Sequence, residues 1–212
     1  MVLKTVHIIA FKKYKNKGTS LVKLPSIMKG WLNTTLTNEQ VMLKLTECYD
    51  SKYLTRLIEQ FNDDLYHYLL SQSDKYLAED IVQTVWLKVI EKRHSYRIQT
   101  SVKSWLFSIA RNCLIDELRR QQRWKFDDIN DDIQVIEVNY EELLANEKVE
   151  QIFNYLLEQL PFSQKEAFIL QQEGFSLEDI SSICNDKTET IKSRLRYARA
   201  HFKRHMELLD VK

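Results

Sequence analysis

The sequence predicts an all-α protein made of two small helical domains joined by an acidic linker, the C-terminal one a helix-turn-helix. Three observations carry that expectation. From Trp31 to Leu160 there is neither Gly nor Pro, the residues that strands and tight turns normally need. Apolar residues recur at three- and four-residue spacing, the period of a helix with one buried face. Towards the C-terminus a short helical segment, a turn at Cys184-Asn185-Asp186 and a long basic segment follow one another, the organisation of a helix-turn-helix.

Residues 1–36 read as a basic, loosely ordered extension. Within residues 1–30 there are seven lysines and no acid, together with two of the three glycines and one of the two prolines, a composition that cannot bury enough apolar surface to order itself. Met28 is an alternative start of the native chain. The apolar stretch Val6 to Phe11 is short, with its lysines mostly behind it, the wrong order for a signal peptide. No apolar run approaches the roughly 18 residues of a membrane span, so no membrane insertion is expected.

The first domain is placed at 37–125. Thr37 to Gln40, TNEQ, is a capping box that starts a helix. Leu54, Leu57, Ile58, Phe61, Leu65, Tyr68 and Leu69 form one amphipathic face, and Leu77, Ile81, Val85 and Val89 another. The polar and β-branched stretch from His94 to Ser101 reads as a loop. A third helix runs from about Ser101 to Gln122, with Trp105, Ile109 and Cys113 on one face and Leu106, Ala110 and Leu114 beside it. Trp86 and Trp105 read as core, since large aromatics dominate small helical cores.

Between Lys125 and Glu150 nine acids stand against Lys125 and Lys148, and the first half lacks helical periodicity. Residues 126–147 are therefore read as the linker. The second domain, 148–212, is punctuated by Pro161 and then SQKE, Ser163 to Glu166, read as a capping box. An apolar helix follows, with Gly174 just past its end. SLED, Ser176 to Asp179, caps the next short helix, and Asn185 suits the left-handed turn after it. In the long helix beyond, Ile191, Leu195, Ala198 and Phe202 share a core face, and Lys192, Arg194, Arg196, Arg199, Lys203 and Arg204 lie elsewhere.

Charge is partitioned, although the formal net charge is only +1. Arg93 to Lys125 holds eight cations against Asp116 and Glu117, and Lys187 to His205 holds seven against Glu189. Two basic footprints flanking an acidic linker favour a polyanion. The first also carries Tyr96, Trp105, Phe107 and Trp124, and aromatics among cations suit unstacked bases. The second has the shape of a major-groove helix. A membrane-surface helix or a calmodulin-type target would look similar in isolation, but the turn and packed helix before it favour DNA.

Other chemistry has little support. Cys48, Cys113 and Cys184 lie far apart with no CxxC pair, which indicates neither a disulfide framework nor a zinc ribbon and fits a reducing cytoplasm. There is no Gly-rich phosphate loop and no nucleophile motif with a base beside it, so no enzyme activity and no cofactor are expected. His201 and His205 are four apart, but no Glu or Cys is placed to complete a metal site; they read as solvated or phosphate-facing.

Three segments in this order resemble the extracytoplasmic-function group of bacterial sigma factors, the small two-domain initiation subunits of RNA polymerase: AEDIVQTVWLKVIEK (Ala78 to Lys92), SWLFSIARNCLIDELRRQQR (Ser104 to Arg123), and LPFSQKEAFILQQEGFSLEDISSI followed by ETIKSRLRYA. The resemblance implies that Glu79, Asp80 and Gln83 contact the β′ clamp helices of core RNA polymerase, with the β flap as a further partner surface. It implies that Tyr96, Arg97, Lys103, Arg111, Asn112, Asp116, Arg119 and Arg120 meet the minus-ten element. Thr190, Lys192, Ser193, Arg194, Arg196, Tyr197 and Arg199 are implied to meet the minus-thirty-five element. Promoter DNA and an anti-sigma factor are the other implied partners, and the cytoplasm the implied location. The chain departs from the family in carrying Asn185 where Gly is usual, Tyr197 where many members have Arg, and an extension over 1–30. From the residues alone, a helix-turn-helix regulator that binds duplex DNA by itself, or a helical protein-interaction module, remains an alternative.

Overall fold

The computed structural model describes residues 36–122 and 149–210. The basic extension, the acidic linker, and Arg123, Trp124 and Lys125 of the first footprint lie outside the described residues, apart from Leu36. Among the described residues the secondary structure is eight α-helices and one 3-10 turn, with no strand. Helices α1 (Asn38–Glu47), α2 (Ser51–Leu70), α3 (Lys75–Lys92) and α4 (Val102–Gln122) form the first unit, and α5 (Val149–Glu158), α6 (Phe162–Gln172), α7 (Leu177–Cys184) and α8 (Thr188–Asp210) the second.

Local chemistry sets the helix ends. The Thr37 hydroxyl accepts from the Gln40 N–H while the Gln40 side chain accepts from the Thr37 N–H, the expected capping box. Asp50 and Asp74 cap α2 and α3 through their carboxylates. Most of the predicted apolar faces are buried: Leu57, Phe61, Leu65, Tyr68 and Leu69 on α2, and Ile81, Val85 and Val89 on α3, with Leu54, Ile58 and Leu77 partly buried. Trp86 joins the core and its indole N–H donates to Asn62 Oδ1 at 3.1 Å. Trp105 is half-buried, edge-on to the Tyr96 ring. The loop before α4 is tighter than expected, since Arg93–Ser95 forms a 3-10 turn.

One predicted cap is wrong. Pro161, not Ser163, occupies the N-cap of α6, and its carbonyl accepts from the Gln164 and Lys165 N–H groups. The helix therefore begins at Phe162, and Glu166, expected to reach back to a cap, lies inside the helix and is fully buried. At the other end Gly174 has φ +86°. The Gly174 N–H donates to Gln171 O and the Phe175 N–H to Leu170 O, the paired bonds of a Schellman cap. SLED is a capping box as expected, with the Ser176 hydroxyl and Asp179 as its two arms.

The two units pack on each other through α4. Lys103, Phe107 and Arg111 fall at i, i+4 and i+8 and point at the second unit, and Phe107 stacks edge-on to Phe175 with centroids 4.8 Å apart. The same ring touches Tyr68 of α2 at 5.2 Å. This explains why α4 carries apolar residues on two faces: it is covered by its own unit on one side and by α6–α7 on the other.

Candidate nucleic-acid interface

The helix-turn-helix is built around Asn185, which adopts φ 54° and ψ 45°. An L-residue with a Cβ resists that region, and Asn tolerates it better than most. The turn is tied from both sides. The Ser181 hydroxyl donates to Asp186 O, and Arg194 Nη1 meets Asp186 Oδ2 at 2.7 Å. Arg194, predicted as a DNA contact, is thus engaged in fixing the angle of α8 in this arrangement.

Ile191, Leu195, Ala198 and Phe202 are all buried, as expected. That packing leaves Lys192, Arg196, Tyr197 and Arg199 exposed, with Thr190 and Ser193 half-exposed beside them. The Arg196 guanidinium lies 5.2 Å over the Tyr197 ring, Lys192 pairs with Glu189, and Arg199 donates to Gln171 Oε1 at 2.8 Å. These are surface contacts of small worth, so the cations stay available to phosphate.

The first footprint is divided. Arg97, Asn112, Asp116, Arg119 and Arg120 are exposed, with Arg120 paired to Glu117 on the same helix. Tyr96 is only 4% exposed, and its hydroxyl donates to Thr100 O, closing the loop before α4. Burial raises its pKa. Its ring therefore supports Trp105 and is not a platform for a base in this arrangement.

Arg111 is held by the second unit, and Lys103 by both units. Lys103 Nζ lies 3.1 Å from both Asp64 Oδ2 and Glu173 Oε2 and donates to Glu173 O. Arg111 Nε donates to Glu166 Oε1 at 2.9 Å, the same oxygen that accepts from the Tyr68 hydroxyl at 3.0 Å. The Cys184 thiol reaches Glu166 Oε2 at 3.5 Å. Burial alone would lower the Arg111 pKa, but the carboxylate beside it raises it overall. Burial and then Glu166 lift Tyr68 well above its ordinary value and Cys184 up to about 12, so both stay protonated donors. Beside this cluster the Ser104 hydroxyl donates to Asp179 Oδ1 at 3.0 Å. Burial opposes the resulting shift, but the Ser176 and Ser104 hydroxyls hold the Asp179 pKa below its usual range.

The predicted docking residues sit on a different surface. Glu79, Asp80 and Gln83 are all exposed on α3. Tyr76 and Leu87, which the sequence reading passed over, are 83% and 67% exposed on the same helix. Together Tyr76, Asp80, Gln83 and Leu87 form a stripe at i, i+4, i+7 and i+11, opposite the core face. The signal was present in the sequence: Leu87 breaks the Ile81, Val85, Val89 spacing.

His201 is not solvated as expected. It is half-buried, with Nε2 3.1 Å from Leu156 O, and burial followed by His205 lowers its pKa. Among the described residues no three His, Cys, Asp or Glu side chains gather as a metal site. No described helix is long and apolar enough to cross a membrane.

Comparison with known proteins bears on both units. Residues 57–124 match the Sigma-70 region 2 model, and residues 150–202 match Sigma-70, region 4. The chain is 32% identical over 130 residues to the ECF RNA polymerase sigma factor EcfG of Rhodopseudomonas palustris, covering 58% of this chain and 67% of that protein. It is 29% identical over 162 residues to the ECF RNA polymerase sigma factor SigX of Bacillus subtilis, covering 72% and 83%. Among solved structures it resembles the sigma factor RpoE of Bartonella quintana, crystallised with the anti-sigma factor NepR, at 28% identity and TM-score 0.57, covering 72% of this chain and 96% of that one. The fold also matches CnrH, solved with the cytosolic domain of CnrY, at 14% identity and TM-score 0.59, covering 81% and 97%.

Proposed function

From the premise that this chain belongs to the sigma-70 family, in its extracytoplasmic-function group, we propose that three separate surfaces divide the work of promoter-directed initiation. The chain is a transcription initiation factor that directs RNA polymerase to promoters; the division among residues is the part proposed. The domains are read as 37–125 and 148–212, with 126–147 as the linker between them and 1–36 as an extension.

The observation that carries the reading is the exposed front of α8. Its core face is locked by a turn that fixes its angle, so Thr190, Lys192, Ser193, Arg196 and Tyr197 project together at its N-terminal end. A helix docked this way places its first turns at base edges of the minus-thirty-five element, and Arg199 on phosphate. Arg97, Asn112, Asp116, Arg119 and Arg120 meet the minus-ten element, joined by Lys103 and Arg111 when α4 is uncovered. The α3 stripe of Glu79, Asp80 and Gln83, with Tyr76 and Leu87 as its apolar anchors, docks on the clamp helices of core polymerase. Interface energy concentrates in such large side chains. Bond-making chemistry belongs to the polymerase, and the chain works in the cytoplasm, where that enzyme and its template are. The complex of the Bartonella relative with the anti-sigma factor NepR supports a partner of that class here.

The test is partner dependence. With core polymerase the purified chain is expected to initiate from a promoter that core alone ignores. Tight binding to duplex DNA without polymerase, and no effect on initiation, would point instead to a free-standing regulator.

A further inference from the structure

Tyr49 is a large side chain that the core leaves outside. It stands in the connection between α1 and α2 and is 53% exposed. Its backbone is tied on both sides: the Cys48 N–H donates to Lys44 O at the end of α1, and the Asp50 carboxylate accepts from the Lys52 N–H to cap α2. One face of the ring is covered, because the Arg93 guanidinium lies over it, 5.5 Å from the centroid. Arg93 is itself held. The Thr46 hydroxyl donates to Arg93 O at 3.1 Å, and Arg93 Nη1 donates to Ile90 O at 2.7 Å. Its charge is nevertheless unanswered: among the described residues no carboxylate pairs with it, and its Nε is buried without an acceptor. A half-buried cation of this kind is costly unless an anion comes from outside.

A second such cation lies on α1. Lys44 and Lys52 sit 5.9 and 4.8 Å from the Tyr53 centroid. Lys52 is paired with Asp50, but Lys44 meets no carboxylate among the described residues. Glu47 and Glu91, the other acids beside these residues in the chain, are exposed and bonded to neither Arg93 nor Lys44. The corner adjoins the loop before α4, since Arg93 opens the 3-10 turn that leads into it and Arg97 Nη1 donates back to His94 O. An aromatic ring with a cation behind it and an open face in front suits an unpaired base, and cations beside it suit the phosphates of the same strand.

We infer that the corner between α1 and α2 is a further single-strand contact, in which Tyr49 stacks one unpaired base beyond the minus-ten bases while Arg93 and Lys44 hold the adjoining phosphates. The inference rests on the assignment of the loop before α4 to the minus-ten strand. Stacking accepts any base, so this contact lengthens the grip on the opened strand without adding a sequence preference.

The test uses the full-length chain bound to core polymerase and two oligonucleotides from the nontemplate strand of a promoter it uses. One holds the minus-ten bases alone, and the other extends a few nucleotides past them on both sides. The extension is expected to tighten binding about tenfold, whichever bases it contains. Tyr49→Ala should lose that gain, Tyr49→Phe should keep it, and both should bind the short oligonucleotide as the unmodified chain does. Arg93→Gln should lower the salt slope for the long oligonucleotide alone, by about 0.7. A full gain in Tyr49→Ala would overturn the inference. Loss of the gain in Tyr49→Phe as well, or no gain in the unmodified chain, would also overturn it. If the unmodified complex binds neither oligonucleotide, the minus-ten assignment itself falls and takes the inference with it.

Discussion

Helices α4 and α8 carry comparable runs of cations, yet the fold treats them in opposite ways. On α8 the apolar stripe is buried against α5, α6 and α7, and Arg196, Arg199, Lys203 and Arg204 are exposed. On α4, Arg111 is met by a carboxylate far along the chain, and Lys103 by another such carboxylate and by Asp64 of its own unit. Local charge in a sequence is therefore a poor measure of available charge. What decides is whether the counterions come from solvent and ligand or from the protein itself.

The largest effect that could break this comparison is on the buried carboxylate of Glu166 that meets Arg111. Glu166→Ala leaves Arg111 without its carboxylate and Tyr68 without its acceptor, and should cost about 3 kcal/mol in urea unfolding. A loss below about 0.5 kcal/mol, within the range of surface changes, would mean that the buried pair is not formed in solution. Next in size is the docking stripe. Asp80→Ala should weaken association with core polymerase about tenfold, the loss of one contact worth ~1.4 kcal/mol. Unfolding stability should stay within about 0.5 kcal/mol because the residue is exposed; normal association would remove Asp80 from that surface.

On α8, Arg199→Ala should lower promoter affinity for every sequence alike and reduce the salt slope by about 0.9. Changes at Lys192 or Ser193 should alter which minus-thirty-five bases are preferred, by about 1–3 kcal/mol per contact. An unchanged slope would take Arg199 off the phosphate. Ser176→Ala removes one arm of the α7 cap and should cost about 1 kcal/mol of stability.

The smallest effect is pH dependence through His201, whose folded pKa lies below its ordinary 6.5. As pH falls through about 6.5 the unfolded chain takes up this proton before the folded one, so stability declines on acidification and is flat above neutrality. A melting series between pH 7.5 and 5.5 should show the decline, and His201→Gln should flatten it. An identical slope in the variant would place the titration elsewhere.

Most of the architecture was legible because it is written locally. The Thr37–Gln40 and Ser176–Asp179 boxes, Gly174, Asn185 and the α8 core face each declare themselves within a few residues. The false cap at Ser163 shows the limit of that reading: SQKE has the right residue types, but Pro161 had already started the helix, and Glu166 was drawn into a buried cluster. That cluster joins Tyr68, Arg111, Glu166 and Cys184, with Tyr68 and its acceptor Glu166 separated by 98 positions, and no periodicity relates them. Sequence could mark Arg111 as a cation on a basic helix. Only the packing of the second unit on α4 shows which acids meet it. Tyr96 is a similar case, since an aromatic in a basic loop looks the same in sequence whether its ring faces a base or, as in this arrangement, Trp105.

On the proposed reading these surfaces together direct RNA polymerase to promoters. Run-off transcription of fragmented bacterial DNA, with core polymerase and with or without the purified chain, tests it most directly. New start sites are expected that appear only with the chain and share one upstream pair of elements at fixed spacing. Start sites unchanged by its addition would contradict it.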